Sequence, residues 1–248
     1  MACDNVTDSI FITIVTVCFN SRKNIQKTLE SVLNQTFRNY EYIIIDGMSS
    51  DGTLEIIDTY KEKFGQKLTV ISEPDQGIYD AMNKGIKMAK GKLVGLINSD
   101  DYYEVDALEK ISTAYKGYEL EIIYGMEREF AEDGRLQDIV FYSHEFLETQ
   151  MINHPTCFVT KKTYETIGYY DLQYKSSSDY DFLLKAFLSK KVEFTPIYDI
   201  ISNFSLGGMS SNIESHLETF KIWKKYGCIN KKRYYMITWK TLLKKWIV

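Results

Sequence analysis

A chain of 248 residues, 44% hydrophobic and 26% charged with only 3 Pro and 14 Gly, can bury a large single core, and this excludes a disordered or fibrous protein. The net charge of −4 conceals an asymmetry: nine of the 30 Lys and Arg, and none of the 34 Asp and Glu, fall between Lys221 and Val248. The rest of the chain therefore carries 21 basic against 34 acidic residues, which argues against broad nucleic-acid binding.

In chain order, Ile10–Val17 is a β-branched run that predicts a buried strand, broken by Asn20 and Ser21. Ile25, Leu29, Val32 and Leu33 recur at helical spacing. Tyr42–Ile45 predicts a second strand ending at Asp46. The loop from Gly47 to Thr53 is rich in turn and capping residues. Leu54, Ile57, Tyr60 and Phe64 form a helical face, Leu68–Ile71 a third strand, and Ile78–Ala89 a further helix stopped at Gly91. Leu93–Ile97 predicts a fourth strand running into Asn98-Ser99-Asp100-Asp101, before a helix over Val105–Tyr115. Farther on come a strand at Ile122–Tyr124, a hairpin about Asp133-Gly134, a strand at Cys157–Thr160 and a helix at Lys161–Ile167. A helix at Tyr180–Leu188, with Asp179 near its start, and a strand at Ile197–Phe204 complete the pattern. The fold class is α/β, with a mostly parallel central sheet covered by helices on both faces and a C-terminal helical extension.

Such sheets bind ligands beyond the carboxyl ends of their strands. Polar residues stand at those ends: Asn20, Asp46, Glu73 with Asp75, and Asp100 with Asp101. Two carboxylates at a strand end can hold a hard divalent cation through oxygen. The competing assignment for Asp46, Asp100 and Asp179 alike is helix N-capping, a common use of Asp. Cys3, Cys18, Cys157 and Cys228 show no zinc or redox spacing and are expected to be reduced thiols. The polar first nine residues predict no secretory signal, and no apolar run is long enough for a membrane span.

Several ordered motifs resemble family 2 glycosyltransferases of the GT-A fold. They are Val15-Thr16-Val17-Cys18-Phe19-Asn20, Ile45–Thr53, Glu73–Gly85, Ala89-Lys90-Gly91, Leu96–Asp101 and Ser176–Asp181. The match covers residues 10–210 and is nearest to bacterial enzymes of capsule, exopolysaccharide or O-antigen synthesis. The resemblance implies a catalytic domain over 1–210, with a nucleotide-binding half (10–101), an acceptor half (102–210) and a basic aromatic tail (211–248). It implies that Thr16 and Asn20 meet the nucleoside and that Asp46 accepts from the uracil imide. Asp75, Asp80, Lys84, Asn98 and Ser99 would line the diphosphate and donor sugar. An i,i+4 surface pair is the alternative for Asp80 and Lys84. Asp100 and Asp101 would hold Mn²⁺ or Mg²⁺, with His154 as a further ligand or acceptor contact. Asn98 replaces the usual first Asp of the metal motif, and Ser178 replaces an acidic neighbour of Asp179. Asp179 would be the base of an inverting transferase. Gly207–Ser211 resembles a segment that folds over the diphosphate.

The tail intersperses Trp223, Tyr226, Tyr234, Tyr235, Trp239 and Trp246 with nine basic residues. That composition suits an anionic membrane surface and a polyprenyl-diphosphate-linked saccharide acceptor. A docking helix or a homodimer contact is the alternative. The expected location is cytoplasmic, peripheral on the inner membrane. A nicotinamide oxidoreductase would need a glycine-rich turn where Cys18-Phe19-Asn20-Ser21-Arg22-Lys23 stands. A non-catalytic nucleotide-sugar-binding scaffold is the remaining rival.

Overall fold

The structure, a computed structural model, describes residues 9–207 and 212–244. The first half runs β1 (Ile12–Cys18), α1 (Ile25–Leu33), β2 (Tyr40–Asp46), α2 (Thr53–Asp58), α3 (Lys61–Phe64), β3 (Leu68–Ser72), α4 (Ile78–Met88) and β4 (Leu93–Leu96). The second half begins with β5 (Tyr102–Tyr103), α5 (Ala107–Ala114), β6 (Glu121–Phe130), β7 (Leu136–Val140) and β8 (Phe158–Thr160). It ends with α6 (Lys161–Ile167), α7 (Ser178–Ser189), β9 (Glu193–Ser205), α8 (Ile213–Lys225) and α9 (Lys231–Lys244).

Among the described residues nine strands join one sheet in the order β3-β2-β1-β4-β8-β6-β9-β5, with β7 beside β6. The pairings β2–β3, β1–β2 and β1–β4 are parallel. The two central strands, β1 and β2, are buried on both faces, as helix-covered parallel strands are, whereas the edge strand β3 is partly exposed. The second half mixes directions: β4–β8, β6–β8, β6–β7 and β5–β9 are antiparallel, and β6–β9 is parallel. The expected parallel character thus belongs to the nucleotide half. The chain winds from β1 outward through β2 and β3, then crosses back to place β4 on the other side of β1. The carboxyl ends of β1 and β4 form the switch point where such sheets open a crevice.

Two apolar layers sandwich the sheet. One packs Val15, Ile43 and Val94 under Met82 and Ile86 of α4 and Phe182 and Leu183 of α7. The other packs Ile14, Tyr42 and Ile44 under Ile25 and Leu29 of α1 and Leu108 of α5. Gly91 lets the turn before β4 lie flat on β1, because a side chain there would meet the Thr13 nitrogen at 2.5 Å. The predicted long helix after Thr53 divides into α2 and α3. The hairpin at Asp133-Gly134 forms as expected, with Gly134 at φ +79°. Pro196 sits where the β6–β9 register shifts, a place where a missing N–H costs no ladder bond.

Candidate active site

A cavity of about 690 Å³ opens beyond the ends of β1 and β4. Its lining includes Phe19, Ser21, Asp75, Asn98, Ser99 and Asp100 together with His154, Lys175, Ser176 and Asp179. Glu127, Glu129, Tyr142 and Asn153 form a further wall. Residues some eighty positions apart in sequence, Asp100 and Asp179, therefore share one hollow.

Asp100 lies four residues beyond the end of β4. Burial raises its carboxyl above the ordinary carboxylate range. Its neighbour Asp101 is 1% exposed and points into the body, where Oδ1 accepts from the Ser205 amide at 3.0 Å. Burial, and then the charge of Asp100, push the Asp101 carboxyl well up. Neither residue caps a helix: β5 follows the pair, and the N-cap of α5 is Asp106. Ser99 is fixed by a 2.7 Å hydroxyl contact with Ser21. Asn98 Oδ1 is buried and makes no hydrogen bond among the described residues.

Asp179 stands in the first turn of α7, one residue beyond Ser178. Its Oδ1 accepts from the Tyr79 hydroxyl at 2.8 Å and from the Tyr180 amide at 2.9 Å. Both bonds fall on one oxygen, which fixes the carboxylate and leaves the other oxygen available. Ser178 is fully buried with its hydroxyl unpartnered among the described residues. His154 is buried, and its Nε2 meets the Tyr170 hydroxyl at 2.8 Å. Burial pulls its pKa below the usual histidine value, so it is neutral at pH 7.

Other expected contacts lie elsewhere. Thr16 is wholly buried in the layer beneath α1, and its hydroxyl accepts from Tyr42 at 2.9 Å. It offers nothing to a nucleobase. Asp46 has no exposed surface and does not line the cavity. Its carboxylate accepts from the Ser49 amide at 3.0 Å and Ser72 Oγ at 2.6 Å, and also from Ser49 Oγ. Ser49 Oγ in turn accepts from the Asn20 amide at 2.8 Å, and Asn20 Oδ1 accepts from the Ser50 amide at 3.0 Å. Asp46 and Asn20 thus tie the Gly47–Thr53 loop to the segment after β1, and neither faces the cavity. A Cβ at Gly47 would lie 2.5 Å from Asp75 Oδ2, so a larger residue there would displace the Asp75 carboxylate. Asp80 and Lys84 also stay outside the cavity. Lys84 pairs with Glu73 at 2.9 Å and Asp80 at 3.5 Å and donates to the Pro74 carbonyl, so it clamps the Glu73-Pro74 turn to α4. Residues 208–211 of the expected diphosphate-covering loop lie outside the described residues.

Residues 13–164 match the family model described as Glycosyl transferase family 2. The chain belongs to that family. A PGL/p-HBAD biosynthesis glycosyltransferase of Mycobacterium bovis is 28% identical over 199 residues, covering 75% of this chain and 73% of that protein. Chondroitin synthase of Pasteurella multocida is 31% identical over 217 residues, 85% of this chain but 22% of the synthase. Among solved structures, S. aureus TarS in complex with UDP-GlcNAc superposes with a TM-score of 0.70 at 20% identity, covering 94% of this chain and 71% of that one. A longer TarS chain is spanned to 39%. The mannosyltransferase PcManGT from Pyrobaculum calidifontis, in complex with GDP-Man and Mn²⁺, superposes with a TM-score of 0.70 at 15% identity, covering 89% and 65%. The shared architecture is the GT-A fold.

The sequence motifs of this glycosyltransferase did not reveal Glu127. It is 2% exposed, and it accepts from Asn153 Nδ2 at 2.7 Å and Ser202 Oγ at 3.0 Å. Burial raises its pKa to about 7. The folded protein therefore binds a proton between the ordinary value of 4.5 and about 7 that the unfolded chain releases. The associated stability is complete below pH 4.5 and is lost as pH rises through 7. The full loss is about 3 kcal/mol. Glu127→Gln removes that dependence. Denaturant melts should show the variant gaining on the parent from pH 5 to pH 8; parallel pH profiles would contradict it.

Proposed function

We propose that this glycosyltransferase moves a sugar, with inversion, from a UDP-sugar to a hydroxyl of a lipid-linked saccharide in bacterial surface polysaccharide synthesis. The observation that carries the reading is the shared cavity of Asp100 and Asp179. An inverting transfer needs diphosphate stabilisation on one side of the anomeric carbon and a proton acceptor on the other. Asp179 takes the acceptor hydroxyl's proton as that oxygen attacks the face opposite UDP. Tyr79 holds the carboxylate in that direction. Phe19, 65% exposed at the rim, offers its ring to the base.

Of the expected ligands, Asp100 with Asn98 lines the cavity and offers side-chain oxygen, which suits Mn²⁺ or Mg²⁺. Among the described residues no group of three or more His, Cys, Asp or Glu could hold a metal. One or two carboxylates completed by substrate phosphates is the usual arrangement for such ions. The unpartnered Asn98 Oδ1 fits an ion or its water that arrives with the donor, whereas Asp101 points into the body and does not line the cavity. When bound, the cation neutralises charge developing on the departing diphosphate. His154 is oriented towards Tyr170 and is better suited to bounding the acceptor pocket than to ligating metal.

UDP is favoured by the UDP-GlcNAc complex of TarS, against the GDP-Man complex of PcManGT. A thermal-shift screen of nucleotide sugars with and without Mn²⁺ tests it. Stabilisation by a UDP-sugar that requires Mn²⁺ is the expected result. Stabilisation by GDP- or dTDP-sugars alone would overturn the donor assignment.

The acceptor reading rests on α9. Its Tyr235, Met236, Trp239, Leu242 and Leu243 are exposed on one face, with Tyr235 at 62% and Trp239 at 64%. Tyr234, Ile237, Thr238 and Thr241 form the opposite, half-buried face. Lys231, Lys232, Arg233 and Lys240 flank the apolar stripe, and no acidic residue lies in the helix. No helix among the described residues is long and apolar enough to cross a membrane. An aromatic stripe with basic flanks is the pattern of a helix lying in a lipid interface. Vesicles containing phosphatidylglycerol should bind the protein, and Tyr235→Ala with Trp239→Ala should weaken that binding by about tenfold or more. Equal binding to neutral vesicles, or a dimer in sedimentation that the double variant abolishes, would contradict this assignment.

A further inference from the structure

The segment that delivers Asp179 does not hold itself in place. The N-cap of α7, Ser177, makes no side-chain capping bond. The supports come instead from α8. One Glu218 carboxylate accepts from two successive backbone amides, Lys175 at 2.8 Å and Ser176 at 2.9 Å, and from Ser176 Oγ at 3.2 Å. Ser177 Oγ donates to the Ser215 carbonyl at 3.2 Å. Trp223 Nε1 donates to the Tyr180 hydroxyl at 2.6 Å, and Lys225 pairs with Asp181 at 2.8 Å. Ile222, fully buried, anchors the helix in the same apolar layer as α7. Contacts from α8 thus reach residues on both sides of Asp179, and Lys175 and Ser176 themselves line the cavity.

We propose that Glu218 is a positioning residue for Asp179, and that α8 completes the catalytic unit. The proposal rests on Asp179 being the base of the transfer. Bonds from a charged acceptor are about twice as strong as neutral ones, and two carboxylate oxygens can serve two adjacent N–H groups at once. Glutamine cannot do this, since its amide nitrogen would confront a second donor. Loss of the clamp frees residues 175–176 and lets the first turn of α7 shift. A small misplacement of a reacting group costs turnover without costing donor affinity, because Glu218 bonds Lys175 and Ser176, neither of which is assigned to the nucleotide.

The test is Glu218→Gln in the full chain, assayed by UDP release from UDP-GlcNAc with Mn²⁺, alongside UDP affinity and amide hydrogen exchange. The expected result is a fall in kcat of about tenfold or more, unchanged donor KM and UDP Kd, and faster exchange confined to residues 175–181. An unchanged kcat, or a fall in kcat matched by loss of UDP affinity, would overturn the proposal. Should the variant fail to fold, exchange in the parent protein decides. Slow exchange at the Lys175 and Ser176 amides supports the clamp, and exchange as fast as in open loops refutes it. A parent protein that binds no UDP and releases none would sink the donor assignment instead, and the exchange result would still judge the clamp.

Discussion

Asp179→Asn lowers sugar transfer by about 10³-fold, within the 10²- to 10⁴-fold range of a general base, and leaves UDP binding unchanged. The substitution removes one proton-accepting oxygen and little else. Asn Oδ1 can still accept from Tyr79 and from the Tyr180 amide, so the turn of α7 keeps its shape. The amide that replaces Oδ2 is a donor and cannot take a proton from an attacking hydroxyl. Steady-state kinetics with a fixed donor should show the loss in kcat, with donor KM preserved. Turnover within a few-fold of the parent would remove Asp179 from the chemistry. A large rise in UDP Kd would instead make it a structural support of the donor site.

Asp100→Asn acts on the opposite side of the same sugar. It should abolish most of the stimulation by Mn²⁺ or Mg²⁺ and cost about 100-fold in turnover, equivalent to about 3 kcal/mol of transition-state stabilisation. The fold should not suffer. The Asp100 carboxyl is already raised by burial, so a neutral amide removes a desolvation cost from the metal-free protein. The variant is therefore expected to melt no lower than the parent without metal, and to gain less from Mn²⁺ with a UDP-sugar. A full Mn²⁺ response in the variant would place the ion elsewhere. Because Asp100 and Asp179 act on one bond, the double variant should cost less than the product of the two single losses.

How far the sequence alone reached depends on which physical signal each residue carries. The two central parallel strands were legible because strands buried on both faces read as near-continuous apolar runs, as Ile12–Cys18 does and as Tyr42–Ile45 does within β2. Strand ends could be placed, and with them Asp75, Asn98, Ser99 and Asp100 in the cavity wall. The direction of a side chain at a strand end was less legible. Thr16 and Val17 are neighbours, yet Val17 lines the cavity and Thr16 bonds Tyr42 in the opposite layer. The hydroxyls that enclose Asp46 come from Ser49 and from Ser72 on the adjacent strand, and only the parallel β2–β3 register brings the second one near. Period-two alternation also misleads at Glu127. Between the Tyr124–Pro196 and Glu127–Ser202 pairs, β9 uses three more residues than β6, and such irregularities bend strands and re-aim side chains. The tail's charges predict a membrane-surface segment or a docking helix; α9 suits the first, and α8 docks, burying Ile222, sending Glu218 to Lys175 and Ser176, and Trp223 and Lys225 to α7, a long-range packing whose partners composition does not encode.

A structure of the protein soaked with an unreactive UDP-sugar analogue and Mn²⁺ tests most directly whether one hollow serves both halves of the reaction. The expected density has the diphosphate and ion against Asp100, and the anomeric carbon turned so that its open face looks toward the free oxygen of Asp179. Nucleotide bound away from the ends of β1 and β4, or a sugar whose open face is turned from Asp179, would contradict the account.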